Sequence, residues 1–371
     1  MVEQDINIEI QDVDTYRKLQ ENLDKLPIGY PATKSGIDLK VLTHFFTPEE
    51  AQIASHLKWD LQSVDQIYET AKDLNLTQQE LENKLDIMAK KGSIRFAIRD
   101  GVKKYGADIL AVGMYEAKVN NLSLEFINDM SQYEDEGFGV AFIGARFPQM
   151  RTVPVEKSVT PEHHLPTYEE VAKIIEDIEG PIGIFNCICR QSHDMRGDPC
   201  KQTSLRENCM AFGHDLQFAI DIGRGREITK NEALGILRKN QEDGLILQAG
   251  NSIKPNFICS CCGCCCGVLS ALSGLPRPID FFHTNHYAEV DSELCLGCGT
   301  CQERCQMNAI KIKNDIAKVI TKRCIGCGNC AAVCPEEAIE LKRKEEEIIP
   351  PKDSDELYNE ILLKKQQIKG Q

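Results

Sequence analysis

Near the N-terminus, apolar positions recur at helical spacing in three consecutive segments, the first and third entered through a threonine suited to a helix cap. V41-L-T-H-F-F-T-P-E-E-A-Q-I-A-S-H-L predicts a helix from Thr47, with Pro48 at its first position and Glu50 at its third. S63-V-D-Q-I-Y-E-T-A-K-D-L predicts a second helix running to Leu74. T77-Q-Q-E-L-E-N-K-L-D-I-M-A-K-K-G-S predicts a third, capped by Thr77 with Glu80 and stopped at Gly92. The period then falls to two, and S93-I-R-F-A-I-R-D-G-V-K-K-Y-G-A-D-I-L alternates about Asp100-Gly101 as a hairpin does. Farther along, Y168-E-E-V-A-K-I-I-E-D-I-E-G predicts a helix capped by Thr167 with Glu170 and closed by Gly180, followed by the strand P181-I-G-I-F-N-C-I-C-R. A loop from Arg190 leads to Cys200, with Cys209 nine residues beyond. A further capped helix runs from Thr229, with Glu232 three positions on, to Gly244, and L245-I-L-Q-A-G-N-S-I-K-P-N-F-I-C predicts a strand and turn. R277-P-I-D-F-F-H-T-N-H-Y-A-E-V reads as a proline-led linker, and the charged tail predicts an amphipathic helix near Glu356 to Gln367.

Composition adds a frame. The chain has 371 residues, is 42% hydrophobic and 27% charged, and carries a net charge of −14, which suits two or three soluble domains. An acidic chain is a poor partner for phosphate, so nucleic acid is unlikely as a ligand of the whole protein. No window approaches eighteen apolar residues and M1-V-E-Q-D-I-N lacks the character of a leader, so no membrane span and a cytoplasmic location are expected. In a reducing compartment, eighteen cysteines argue for metal thiolates rather than disulfides.

Those cysteines all lie between Cys187 and Cys334, and the last eight form a repeat. V290-D-S-E-L-C-L-G-C-G-T-C-Q-E-R-C-Q-M-N-A-I-K-I returns 29 residues later as V319-I-T-K-R-C-I-G-C-G-N-C-A-A-V-C-P-E-E-A-I-E-L. Each copy has C-x-x-C-x-x-C-x-x-x-C. In bacterial dicluster ferredoxins this run gives three ligands to one 4Fe-4S cube and its fourth cysteine to the other. Matched residue by residue, one cluster takes Cys295, Cys298, Cys301 and Cys334, and the second takes Cys324, Cys327, Cys330 and Cys305. Glycines Gly297, Gly299, Gly326 and Gly328 let the backbone wrap a cube, and A309-I-K-I and A338-I-E-L alternate as short strands. The proline that follows the fourth cysteine, Pro335, is replaced in the first copy by Gln306, which should loosen a turn without removing a ligand. Zinc favours paired C-x-x-C knuckles over two linked four-cysteine runs.

Ten cysteines remain: Cys187, Cys189, Cys200 and Cys209, then Cys259, Cys261, Cys262, Cys264, Cys265 and Cys266, six thiols in eight positions. Alternation along an extended chain sets Cys261 against Cys262, and Cys264 against Cys265, on opposite sides. The motif therefore reads as a ridge serving two metal sites, completed by the four upstream cysteines. One or two further 4Fe-4S clusters are the expected occupants, their partition open, with zinc the weaker reading. A noncubane or substrate-binding cluster, or a redox dithiol at Cys265 and Cys266, stays open. Arg190, His193 and Arg196 are candidates to balance cluster charge, though solvated loop positions suit them equally. His283 and His286 read as loop or interface residues, and His163 and His164 as surface loop.

Helix, helix, helix, hairpin is the order of a winged helix. The expected fold class is α+β in several domains: a winged-helix-like domain at 1–120, an α/β cysteine-rich domain at 121–285, a dicluster ferredoxin fold at 286–345 and a charged helical tail at 346–371. The third helix carries Glu80, Glu82 and Asp86 against Lys84, Lys90 and Lys91, a poor surface for DNA, so a docking or scaffold role is the default. The chain resembles 4Fe-4S binding proteins of anaerobic bacteria and archaea. The resemblance rests on G29-Y-P-A-T-K-S-G, F46-T-P-E-E-A, Q149-M-R-T-V-P-V-E-K, C187-I-C-R, F257-I-C-S-C-C-G-C-C-C-G and the two ferredoxin runs. It implies electron transfer. With no nucleophile, phosphate loop or dinucleotide fingerprint, the reading is an electron carrier or electron-transfer subunit of an oxidoreductase, working with a redox partner or within a larger complex. Two alternatives come from other classes: a redox-sensing winged-helix regulator, and an oxidoreductase whose middle site reduces a substrate.

Overall fold

Three capping boxes organise the N-terminal part of the computed structural model, which describes residues 11–144, 147–158 and 166–369. Thr47, Ser63 and Thr77 each accept from the amide three residues on, while Glu50, Gln66 and Glu80 reach back to the cap amide. Two orphan amides are thus satisfied at the start of each helix, Pro48–Ala54, Val64–Thr70 and Gln78–Lys91. The second helix is shorter than its pattern predicts. It breaks at Ala71 into a single 3-10 turn, Lys72–Leu74, which Asn75 ends in a left-handed conformation. Gly92 closes the third helix at φ 76°, a conformation that costs glycine nothing.

The hairpin follows as expected. Strands β2 (Ile94–Arg99) and β3 (Val102–Ala107) turn through Asp100 and Gly101, both at positive φ as a two-residue turn of this kind requires. The short β1 (Gln62–Ser63) adds to β3, giving the order β1-β3-β2. Acids of the third helix are drawn into this sheet, with Lys103 Nζ 2.7 Å from Asp86 and 3.1 Å from Glu82, and the Tyr105 hydroxyl donating to Asp86 at 2.6 Å.

The second body is built on a six-stranded antiparallel sheet. Its strands are β4 (Met150–Val153), β5 (Ile182–Asn186), β6 (Glu207–Phe212), β7 (Arg226–Ile228), β8 (Ile246–Gly250) and β9 (Phe257–Cys261), in the order β4-β8-β9-β6-β5-β7. Helices Val171–Glu176 and Lys230–Glu242 pack on it over Ile182, Ile184, Met210, Leu247 and Ile258, all nearly inaccessible. Each such aliphatic side chain contributes roughly 2 kcal/mol on burial. Thr229 caps the second helix as predicted. The first begins later than its pattern suggests: Glu170, not Thr167, is its cap, and Thr167–Glu169 forms a 3-10 turn. The Glu169 carboxylate is held by Asn285 Nδ2 at 2.6 Å, which draws that turn into tertiary contact.

Two connections are more regular than the sequence suggests. The loop expected after Cys189 is a helix, Ile188–Met195, whose buried residues Ile188, Arg190 and Ser192 carry too little apolar signal to reveal it. The proline-led linker becomes a 3-10 turn, Pro278–Phe281, and then β10 (His286–Val290). Strand β10 pairs antiparallel with β13 (Ile339–Arg343), while β11 (Ile310–Lys313) pairs with β12 (Ile316–Val319). The C-terminal helix spans Ser354–Lys369.

The chain is therefore α+β, and it divides into two compact units: Met1–Ala145 with Asp221–Arg224 and Ile361–Gln371, and Arg146–Ile220 with Gly225–Glu360. The expected boundary at 120 falls inside the first unit, where helix Leu124–Tyr133 packs on helix Ile37–Thr43, and those at 285 and 345 fall inside the second, with β10 and β13 pairing within the expected 286–345 span. His163 and His164 lie outside the described residues. Among the described residues, no helix is long and apolar enough to cross a membrane.

The sole tryptophan, Trp59, lies in the first unit beneath the Arg95 guanidinium and reports on its folding. Replacing Thr77 by Ala should lower the stability of this unit by about 1 kcal/mol. Urea titration of Trp59 fluorescence measures it, and an unmoved midpoint would show that the box does not hold the third helix.

Candidate metal centres

The two ferredoxin-type runs wrap two recesses. One is lined by Cys295, Cys298, Cys301 and Cys334 with Leu296, Pro335 and Ile339. The other is lined by Cys305, Cys324, Cys327 and Cys330 with Gln306, Ile325 and Asn329. Each recess thus collects three cysteines of one run and the fourth of the other. The first is the outer of the two, with Cys298 and Leu296 exposed, whereas Ile325, Asn329 and Cys330 are buried around the second, inner recess.

Backbone amides are aimed at the sulfurs. Ala317 N–H donates to Cys295 Sγ at 3.4 Å, Ala288 N–H to Cys324 Sγ at 3.4 Å and Ala309 N–H to Cys305 Sγ at 3.3 Å. Gly297 and Gly326 adopt φ 64° and 67°, and a Cβ at either would run into a neighbouring backbone, that of Asp315 or His286. Burial raises the thiols of the inner recess: Cys327 is pushed up to about 12, with Cys305 and Cys324 adding to the effect, and Cys330 lies well above its ordinary value. Thiolates there require a cationic core beside them, which four cysteines and inward amides are suited to hold. Residues 288–341 match the family model of a 4Fe-4S dicluster domain. No curated protein and no solved structure matches the chain.

Gln306, the departure from the repeat, braces the dicluster domain rather than loosening it. Its Oε1 accepts from Gly263 N–H at 2.6 Å and its amide nitrogen donates to Gly244 O. Asn329, 1% exposed, donates to Gly244 O at 3.0 Å and Leu245 O at 3.3 Å. Gly263 lies between Cys262 and Cys264, so the inner recess is fastened directly to the cysteine-rich turn. Comparing the two repeats flags both positions, Gln306 against Pro335 and Asn329 against Thr300, but does not say what either one touches.

The ten middle cysteines separate into two groups. Cys200, Cys262, Cys264 and Cys265 bring their sulfurs within 4.8 Å of one another. Cys259 contacts Cys209, its partner in the β6–β9 register, and also Cys261; Cys261 contacts Cys266, and Cys187 contacts Cys189. Cys261 and Cys262 part to different groups, as alternation predicts. Cys264 and Cys265 do not: their sulfurs lie 3.7 Å apart, because strand β9 ends at Cys261 and the chain turns there, Cys265 and Cys266 N–H both bonding Cys262 O. Alternation belongs to extended backbone alone.

Arg190 joins the two groups. It is 1% exposed, its Nη2 donates to Ser260 O at 2.9 Å, and Nε and Nη1 find no oxygen acceptor. What its charge meets is sulfur, that of Cys187, Cys262 and Cys200, and the attraction holds the guanidinium above its usual range against the cost of burial. Burial alone would raise Cys200, but amides of Gln202 and Thr203 and the Arg190 guanidinium bring it down to about 6. The Cys187 thiol falls to about 7 through its hydrogen bond with Cys189, opposed by burial and aided by Arg190. Cys262 moves the other way, up to about 12, chiefly by burial. Arg196 closes the helix after Met195, and His193 Nδ1 lies 3.6 Å from Asp198. His283 Nδ1 pairs with Asn251 at 2.7 Å, and His286 is buried 4.0 Å from Glu169.

Gln306→Pro, which restores the repeat, removes the side-chain hydrogen bonds to Gly263 and Gly244. It should lower the stability of the second unit by about 2 kcal/mol while leaving the iron of the dicluster domain in place at low denaturant. Urea midpoints followed by visible absorbance, with iron assayed before denaturation, test this; an unchanged midpoint would remove the brace.

Proposed function

We propose that the chain is a low-potential electron-transfer protein whose dicluster domain exchanges single electrons with an oxidoreductase partner. The observation that carries the reading is the pair of recesses, each with four cysteines and with amides aimed at sulfur, inside the segment that matches a 4Fe-4S dicluster domain. Cys295, Cys298, Cys301 and Cys334 are the ligands of the outer site. Cys305, Cys324, Cys327 and Cys330 are those of the inner site. A bound 4Fe-4S cluster supplies reversible one-electron chemistry. The chain holds the thiolates at fixed spacing, donates amides that favour the reduced state and, at the inner site, keeps water away.

Electrons enter or leave at the outer recess, where Cys298 is exposed and Leu294 and Leu296 stand out beside it at 50% and 69% exposure. The cysteine-rich region is a further metal–thiolate centre linked to the inner recess through Gln306. The N-terminal unit is winged-helix-like, as its helix order and its β1-β3-β2 sheet support, and acts as a docking module. Its third helix spends Glu82 and Asp86 on Lys103, and Lys84 and Lys91 on Glu49 and Glu50, which leaves little basic surface for phosphate. A cytoplasmic, anaerobic setting fits such thiol density.

Protein purified without oxygen should hold about eight irons and eight sulfides in the dicluster domain, and reductive titration should show two interacting one-electron centres by EPR. Cys298→Ser should alter one of these signals and spare the other. A preparation with metal but no labile sulfide would overturn the reading, and sequence-dependent DNA binding that changes with redox state would favour the regulator instead.

A further inference from the structure

The geometry of Cys200, Cys262, Cys264 and Cys265 points to a metal site of a different kind from the two recesses. The Cys200 sulfur lies 3.6 Å from that of Cys262 and 3.8 Å from that of Cys264, while the Cys264 sulfur lies 3.6 Å from Cys262 and 3.7 Å from Cys265. Four sulfurs placed tetrahedrally about one ion at about 2.3 Å stand about 3.8 Å apart, since the edge of a tetrahedron is about 1.63 times its radius. A 4Fe-4S cube puts each thiolate on a different iron and spreads the four sulfurs farther. No three of the dicluster cysteines bring their sulfurs all within 4.8 Å of one another. Among the described residues, Cys200, Cys262, Cys264 and Cys265 are the one set of three or more potential ligands whose donor atoms all fall within 4.8 Å.

The surroundings suit a closed site. Cys262 and Cys265 are buried, Leu245 at 0% exposure backs the four sulfurs, and Arg190 lies beside Cys200 and Cys262 to offset the negative charge that four thiolates leave on a divalent ion. With four protein ligands the tetrahedron is complete and no position is open to substrate, the pattern of a structural rather than a catalytic centre.

We propose that Cys200, Cys262, Cys264 and Cys265 bind one thiophilic divalent ion, zinc or ferrous iron, as a mononuclear tetrathiolate without inorganic sulfide. Thiol protons leave to solvent as the ion enters, and no electron moves. The ion fixes the segment before β6 to the turn after β9, the same turn that Gln306 fastens to the dicluster domain through Gly263 N–H. This site is distinct from the two recesses, so it stands or falls apart from the electron-transfer reading.

The test uses the full chain, purified without oxygen and loaded with its clusters. Zinc, iron and labile sulfide are counted in the unaltered protein and in the double variant Cys200→Ser, Cys264→Ser. The expected result is loss of one zinc or one iron per chain with sulfide and the dicluster EPR signals unchanged. Loss of about four irons with matching sulfide would place a cube there instead, and no change in metal would remove the site. Should the variant fail to fold, the unaltered protein decides. X-ray absorption at the zinc edge should show four sulfurs at about 2.3 Å and no neighbouring metal, or, if zinc is missing, Mössbauer spectra should show one isolated tetrathiolate iron. Neither signature in the unaltered protein would overturn the proposal.

Discussion

Buried sulfur needs positive charge beside it, and much of the second unit is arranged around that constraint. A thiol withdrawn from water prefers its proton, as the raised values of Cys262, Cys327 and Cys330 show. To become a thiolate it needs a cation or aligned dipoles. The chain provides these in three forms: amides directed at Cys295, Cys305 and Cys324, a buried guanidinium at Arg190, and recesses each lined by four cysteines that could hold a cationic core. Arg190 is the costliest of these, since an almost inaccessible guanidinium with two nitrogens lacking oxygen acceptors is tolerable only against negative charge.

How much of this was legible in the sequence depended on the range of the interaction involved. The caps at Thr47 and Thr77, the Asp100-Gly101 turn and the short strands of the dicluster domain are local devices, and the chain shows them in its own order. The cysteine repeat was readable because each run carries its spacing with it. Reading failed where a distant partner took over a residue. The cap expected at Thr167 gave way to a 3-10 turn whose Glu169 meets Asn285, and the helix Ile188–Met195 buries an arginine and a serine where periodicity looks for apolar side chains. The ridge rule separated Cys261 from Cys262 but misjudged Cys264 and Cys265, since it assumed extended backbone through a turn.

Gln306 shows the same limit from the other side. Its mismatch with Pro335 was visible, but its meaning lay in Gly263 and Gly244, both more than forty positions away. Such a residue looks like decay of a repeat until its partners are known.

The amides directed at the first cysteine of each run are exchanged between the repeats. Ala288, upstream of the first run, donates to Cys324 of the second, and Ala317, upstream of the second, donates to Cys295 of the first. The fourth cysteines cross in the same way. Each copy therefore builds part of its neighbour's pocket and lacks part of its own. A duplicated motif joined in this manner cannot be halved: one copy alone would enclose neither cluster, so the pair is the smallest heritable unit, and damage to either half is felt at both.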